Sequence, residues 1–219
     1  MNKFVPYILV IFALIGGFYL KSYLGLGPND ESSEPVSGSE NKIDNRFDTL
    51  LIYPKKNPIS DLTLIDHLGN PFKTDRFKGR WNLIFSGYTN CPDVCPNTLT
   101  QMTQLYQTME PSIRDKFQII FLSVDPARDT PEHLKQYLDY FHKDFVGISG
   151  EISQIDDLVK GLGGIYSINQ EEGEFYTVDH SARIFIVGPN AERYGIVKSG
   201  ILKAKDKSQL VADLTQLAE

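Results

Sequence analysis

Two cysteines in one short motif are the residues of this 219-residue chain best suited to chemistry. Cys91 and Cys95 lie in residues 87–96, GYTNCPDVCP, and are the chain's two cysteines. Two such thiols can clamp a soft metal ion, exchange as a dithiol or form a structural disulfide. Three residues separate them, whereas the usual oxidoreductase motif has two. The spacing favours a metal site and leaves the dithiol and the disulfide open, although a bridge over so short a loop would add little stability.

The candidates for a third ligand are the four histidines, since imidazole binds both copper and zinc. His67 lies near a predicted turn, and His133 and His142 lie on or just after a charge-rich helical segment, so we expect these three to be surface histidines. His180 lies in residues 178–181, VDHS, in the predicted loop before a buried strand.

Strand and helix patterns alternate along the chain between these residues. We predict strands at 62–72 (a hairpin turning at 69–70), 82–88, 117–124, 144–148, 183–187 and 194–197, and helices at 98–109, 130–141, 151–162 and 208–218. Thr130 and Pro131 are typical of a helix start, and glycines at 163–164 of a helix end. This order indicates an α/β protein with a central mixed sheet flanked by helices, and it matches a thioredoxin-like fold.

The cysteine motif lies between a predicted buried strand and a predicted helix. Residues four apart share one face of a helix, so the two sulfurs can point to one place. The partial positive charge of a helix start lowers thiol pKa, so we expect both cysteines to favour the thiolate.

Such a sheet packs the loop that carries His180 beside the turn that carries Cys91 and Cys95. Two sulfurs and one nitrogen suit copper(I), which accepts three ligands, whereas structural zinc needs a fourth for which the sequence offers no comparable candidate. Asp125 and Asp179 are candidate outer partners that would orient the imidazole or adjust the charge of the site.

The amino-terminal part of the chain predicts a membrane anchor and a tether. Residues 4–20 form an uncharged apolar run, long enough to cross a bilayer and longer than the core of a signal peptide. We therefore predict an uncleaved transmembrane helix at 1–21, a flexible acidic linker at 22–45 and the folded domain at 46–219. We expect the amino terminus inside and the domain on the periplasmic side of a bacterial inner membrane, because a mitochondrial protein would usually carry a basic presequence.

The net charge of −6 gives the chain no overall positive field that would gather phosphates. Nucleic acid is therefore not an expected partner.

Three segments together resemble the Sco/SenC family of copper-binding assembly proteins. They are residues 85–96 (FSGYTNCPDVCP), 123–132 (SVDPARDTPE) and 178–181 (VDHS), in the family's order and spacing. The resemblance covers residue 60 to the carboxyl terminus, and the predicted anchor and linker also fit the family's layout.

The resemblance implies a thioredoxin-like fold and copper, as Cu(I) or Cu(II), held by Cys91, Cys95 and His180 with Asp125 in support. It implies a metallochaperone that helps to assemble the binuclear copper centre on cytochrome c oxidase subunit II, with other copper carriers as further partners. A carrier rather than an enzyme is the leading interpretation. The alternative is a thiol–disulfide oxidoreductase that reduces the cysteines of that centre or acts in redox signalling.

Overall fold

The computed structural model describes residues 46–169, 177–180 and 183–219. The strands within these ranges are β1 Leu50–Pro58, β2 Thr63–Asp66, β3 Pro71–Lys73, β4 Trp81–Gly87, β5 Phe117–Ser123, β6 Val146–Ser149, β7 Tyr166–Asn169, β8 Thr177–His180, β9 Ile184–Val187 and β10 Glu192–Val197. The helices are α1 Val94–Thr108, α2 Pro111–Arg114, α3 Pro131–Asp139, α4 Ile152–Leu162 and α5 Ser208–Ala218, with short 3-10 turns at Thr74–Phe77 and Ile201–Lys203.

Eight of these strands form one sheet in the order β1-β10-β9-β4-β5-β6-β2-β3. The three central strands β4, β5 and β6 run parallel, and the other neighbours pair antiparallel. Strands β7 and β8 form a separate antiparallel pair. The prediction of a mixed sheet is confirmed.

The central strands are almost entirely apolar because both faces of the sheet are covered. Leu83 and Phe85 of β4 belong to the core cluster packed by α1, α3 and α5, whereas Ile84 between them belongs to the cluster packed by α4. This alternation is the period of two that a strand imposes on its side chains. The sheet is thus flanked by helices, as the sequence predicts.

Local chemistry explains where the helices begin and end. Thr130 caps α3, since its hydroxyl oxygen accepts the His133 backbone N–H at 3.2 Å, and Pro131 is the first residue of that helix. Gly163 ends α4 in the left-handed conformation, with φ of +79°. Both predictions are confirmed. Helix α1, however, begins at Val94, four residues before the predicted start, so that Cys95 lies in its first turn.

Both edges of the sheet carry residues that oppose further strand pairing. The edge strand β1 has the sequence LLIYPKKNP, with a register shift between Ile52 and Asn57. The opposite edge strand, β3, has three residues, of which Pro71 and Lys73 are the first and last.

None of the helices in the described ranges combines the length and the apolar character that crossing a bilayer requires. The predicted anchor at 1–21 and linker at 22–45 lie outside those ranges.

Candidate metal site

The cysteine motif lies where the central parallel strands end. Gly87 of β4 pairs with Ser123 of β5, and the next residue, Val124, donates its backbone N–H to the Gly87 carbonyl at 2.9 Å. Because β4 and β5 are parallel, the segments that follow them leave from the same edge of the sheet. In α/β sheets this carboxyl edge is where ligands bind.

The loop after β4 brings the two cysteines together. Cys91 lies before α1, and Cys95 is the second residue of that helix. The Cys95 backbone N–H donates to the Cys91 sulfur at 3.5 Å. The two thiols are therefore neighbours, although only Cys95 lies within the helix.

The two thiols differ in their exposure. Cys95 is fully buried, Cys91 is partly exposed, and no disulfide joins them. Burial raises the pKa of the Cys95 thiol, with a smaller contribution from neighbouring Cys91, although a hydrogen bond from the Tyr88 backbone opposes the shift. The predicted lowering of the pKa is wrong for Cys95, because desolvation outweighs the partial charge of the helix start. A thiol in this position keeps its proton until a cation replaces it.

Gly87 makes room for the Cys95 sulfur. A Cβ atom at position 87 would lie 2.7 Å from that sulfur and 2.8 Å from Cε2 of Phe121. The sulfur therefore rests against the β4 backbone itself, in a space that only glycine leaves open.

A buried carboxylate braces the loop before the cysteines. Asp129 accepts hydrogen bonds from the Thr89 backbone N–H at 3.0 Å, the Thr89 hydroxyl at 2.6 Å and the Ser123 hydroxyl at 2.6 Å. Sequence reasoning missed Asp129. The sequence did contain a signal for it. Thr89 follows β4 and Ser123 ends the adjacent strand β5, and buried hydroxyl groups need a hydrogen-bond acceptor.

Asp125, predicted as an outer partner of the site, lies in the same network. Its backbone N–H donates to the Ser123 hydroxyl oxygen at 3.1 Å, and its buried carboxylate pairs with Arg128. The Arg128 guanidinium in turn lies 5.6 Å from the ring centre of Tyr88, which precedes Thr89. Asp125 thus helps to hold the loop in place by orienting Arg128 against Tyr88.

The three histidines expected at the surface belong to no cluster of three potential metal ligands among the described side chains. His133 is exposed. His67 is half-buried and accepts the Gly147 backbone N–H on Nδ1 at 3.1 Å. His142 is also half-buried, with its ring stacked on Phe145 at 5.2 Å. The surface prediction is therefore confirmed for His133, whereas His67 and His142 have structural contacts.

His180 lies on a strand rather than in the predicted loop. It is the last residue of β8, and its Cα pairs with that of Tyr166 on β7. Cα atoms of β8 come within 8 Å of Cα atoms of β4, the strand that leads into the cysteine motif. The side chains of Asp179 and His180 lie outside the described part of the structure, and among the side chains it describes no three of Cys, His, Asp and Glu gather closely enough to hold a metal ion.

Two proteins from other organisms align with most of the length of this chain. A provisionally named copper-binding protein of Stutzerimonas stutzeri is 38% identical over 151 residues, which are 68% of this chain and 74% of that protein. An SCO2-like protein of Rickettsia conorii is 33% identical over 196 residues, covering 87% of this chain and 88% of its own length.

A solved structure has the same fold. Bradyrhizobium japonicum ScoI, determined with copper bound, superposes with a TM-score of 0.64 at 32% identity and covers 73% of this chain and 99% of its own. The sequence profile of the SCO1/SenC family matches residues 35–219, well over half of the chain. This match includes the whole thioredoxin-like domain and both cysteines, and the chain therefore belongs to the SCO1/SenC family.

Proposed function

We propose that this protein is a membrane-anchored copper carrier that assists assembly of the binuclear copper centre on cytochrome c oxidase subunit II. The observation that carries the proposal is the pair of unlinked thiols of Cys91 and Cys95, held together at the carboxyl edge of the parallel strands. Copper is the cargo of this site and not a resident cofactor. The copper-bound structure of ScoI and the copper-binding relative support this choice of metal.

The donor set fits copper(I). Two thiols and one imidazole, with Cys91, Cys95 and His180 as ligands, form a soft set of three. The position of β8 beside β4 supports His180 as the third member. Binding displaces the thiol protons, and the ion's positive charge offsets the burial that raises the pKa of Cys95.

The surroundings suit a site that both holds and releases its ion. Cys95 is enclosed, but Cys91 is partly exposed, so an incoming thiolate of a partner reaches the ion from the Cys91 side. A three-coordinate ion accepts such a fourth ligand before an old one leaves. We propose that the receiving protein is subunit II, that other copper carriers deliver the ion, and that residues 1–21 anchor the domain on the periplasmic side of a bacterial inner membrane.

A copper titration of the full-length chain in detergent tests the proposal. With reduced thiols we expect about one copper ion per chain and X-ray absorption that shows sulfur and nitrogen ligands. His180→Ala should weaken copper(I) binding by more than about 100-fold, since it removes a ligand. His133→Ala is the matched control, because His133 is exposed and should leave binding unchanged. A reduced wild-type chain that takes up no copper would refute the proposal.

The unequal exposure of the two thiols favours a second candidate function, thiol–disulfide exchange. The Cys91 thiolate would attack a partner's disulfide and release one partner thiolate, and Cys95 would then attack the Cys91 sulfur and release the other. Two electrons pass to the partner, and a Cys91–Cys95 disulfide remains. A His180→Ala variant that loses copper yet reduces a disulfide substrate at the wild-type rate would show that exchange runs independently of the metal.

A further inference from the structure

Tyr137 of α3 carries a buried hydroxyl group that has no role in the proposed function. Its oxygen is inaccessible to solvent and makes no hydrogen bond to any residue that the structure describes. The ring is held on two sides, by Phe121 at 5.8 Å and by Phe141 at 5.1 Å between ring centres. A buried hydroxyl normally has a partner, so its position indicates a group that becomes an acceptor in another state of the protein.

The two cysteine sulfurs are candidate acceptors, since both act electrostatically on the Tyr137 phenol. The Phe121 ring edge and the Cys95 sulfur both border the space next to Gly87, at 2.8 and 2.7 Å from the position of a Cβ there. Tyr137 packs on that same Phe121 ring, and both Tyr137 and Cys91 pack against the core cluster that contains Cys95. Tyr137 thus packs against the ring that borders the Cys95 sulfur.

The electrostatics agree with this placement. Burial raises the pKa of the Tyr137 phenol, and negative charge on Cys95, Cys91 or Asp129 would raise it further. A neutral phenol is a hydrogen-bond donor, so it can donate to a sulfur that comes within reach.

We propose that the Tyr137 hydroxyl donates a hydrogen bond to the Cys95 sulfur when the cysteine pair holds copper. Two thiolates and a neutral imidazole around copper(I) leave one net negative charge in a partly buried site. The described structure already provides two donors to these sulfurs, the Tyr88 backbone to Cys95 and the Cys95 N–H to Cys91. Tyr137 adds a third donor, from the buried side, and thereby adjusts the affinity and the electronic structure of the site.

This inference rests on the proposed copper site, and Tyr137→Phe tests it because the variant removes only the hydroxyl. The matched control is Tyr140→Phe, at the carboxyl end of the same helix, where the side chain is 85% exposed. In the full-length chain in detergent, loaded with Cu(II), loss of a hydrogen bond to sulfur should move the sulfur-to-copper charge-transfer band to longer wavelength. Copper(I) affinity, measured by competition with a chromophoric chelator, should fall about tenfold. Tyr140→Phe should match the wild type in both.

The metal-free chain separates this role from a structural one. There the hydroxyl has no partner among the described residues, so Tyr137→Phe should unfold no more easily than the wild type. A Tyr137→Phe chain that is destabilised without metal, or whose band and affinity equal those of Tyr140→Phe, would overturn the inference while leaving the copper site in place. A wild-type chain that binds no copper would instead reject the proposed function itself.

Discussion

The contact between Gly87 and the Cys95 sulfur gives the sharpest prediction for stability. In Gly87→Ala the new methyl group would lie 2.7 Å from the sulfur and 2.8 Å from the Phe121 ring, whereas ordinary contact begins at 3.4 Å. Both neighbours are fully buried, so neither can swing into solvent. The sulfur and the ring must therefore each move by several tenths of an ångström.

The expected cost follows from two opposing effects. Overpacking a buried site destabilises a protein by about 1–3 kcal/mol. Replacing a glycine within a strand by alanine returns about 0.5–1 kcal/mol, because the unfolded chain loses conformational freedom. The net loss is about 0–2.5 kcal/mol, and for a domain of this size each kcal/mol lowers Tm by about 2–4 °C. Because the displaced atom is the Cys95 sulfur, copper binding should weaken as well.

Thermal unfolding followed by circular dichroism, paired with the copper titration, measures both effects. Gly161→Ala is the control: Gly161 lies on an exposed part of α4, and nothing lies within 4 Å of a Cβ there. That variant should gain about 0.5–1 kcal/mol in stability and bind copper normally. If Gly87→Ala were as stable as Gly161→Ala and bound copper equally well, the Cys95 sulfur could not rest against β4.

Two further predictions concern buried carboxylates. Asp129→Ala removes the acceptor of Thr89 and Ser123, so we expect a loss of about 2–4 kcal/mol in urea unfolding; a loss under about 1 kcal/mol would mean that the loop does not depend on this carboxylate. The Asp213 carboxylate of α5 accepts hydrogen bonds from the backbone N–H and the hydroxyl of Thr49, both at 2.7 Å. Burial opposes ionisation, but these hydrogen bonds outweigh it and hold the pKa of Asp213 below 3.8. Its stabilising contribution should be complete above the unfolded-chain pKa and lost as the pH falls through the lower folded-state pKa. Acid titrations of unfolding should show a smaller loss in Asp213→Asn, and identical acid dependence in both chains would contradict the assignment.

The central sheet was predictable because its strands are buried on both faces. Residues 82–88 and 117–124 are apolar runs of strand length, and the structure places β4 and β5 there. Strand β1 was missed since Pro54, Lys55 and Lys56 interrupt its apolar pattern, as edge residues often do.

That the two cysteines lie side by side was predictable from their spacing, but the burial of Cys95 was not. The helix predicted at 98–109 begins at Val94 instead. Pro96 is compatible with this earlier start, because a proline in the first turn lacks only an N–H that has no helical partner. The full enclosure of Cys95 depends on Gly87 and Phe121, which are remote from the spacing that identified the motif. Local sequence patterns do not predict such tertiary contacts. The role of Asp129 as an acceptor was missed for the same reason, because Thr89, one of its donors, lies 40 residues away.

The two guarded edges of the large sheet determine how another protein can approach this domain. Prolines without an N–H and lysines that must stay hydrated stand where an added strand would have to bond, on β1 and again on β3. Other proteins and neighbouring copies are thereby kept from adding a strand to the sheet, which lowers the risk of aggregation. Recognition by another protein therefore relies on side chains and loops rather than on strand addition.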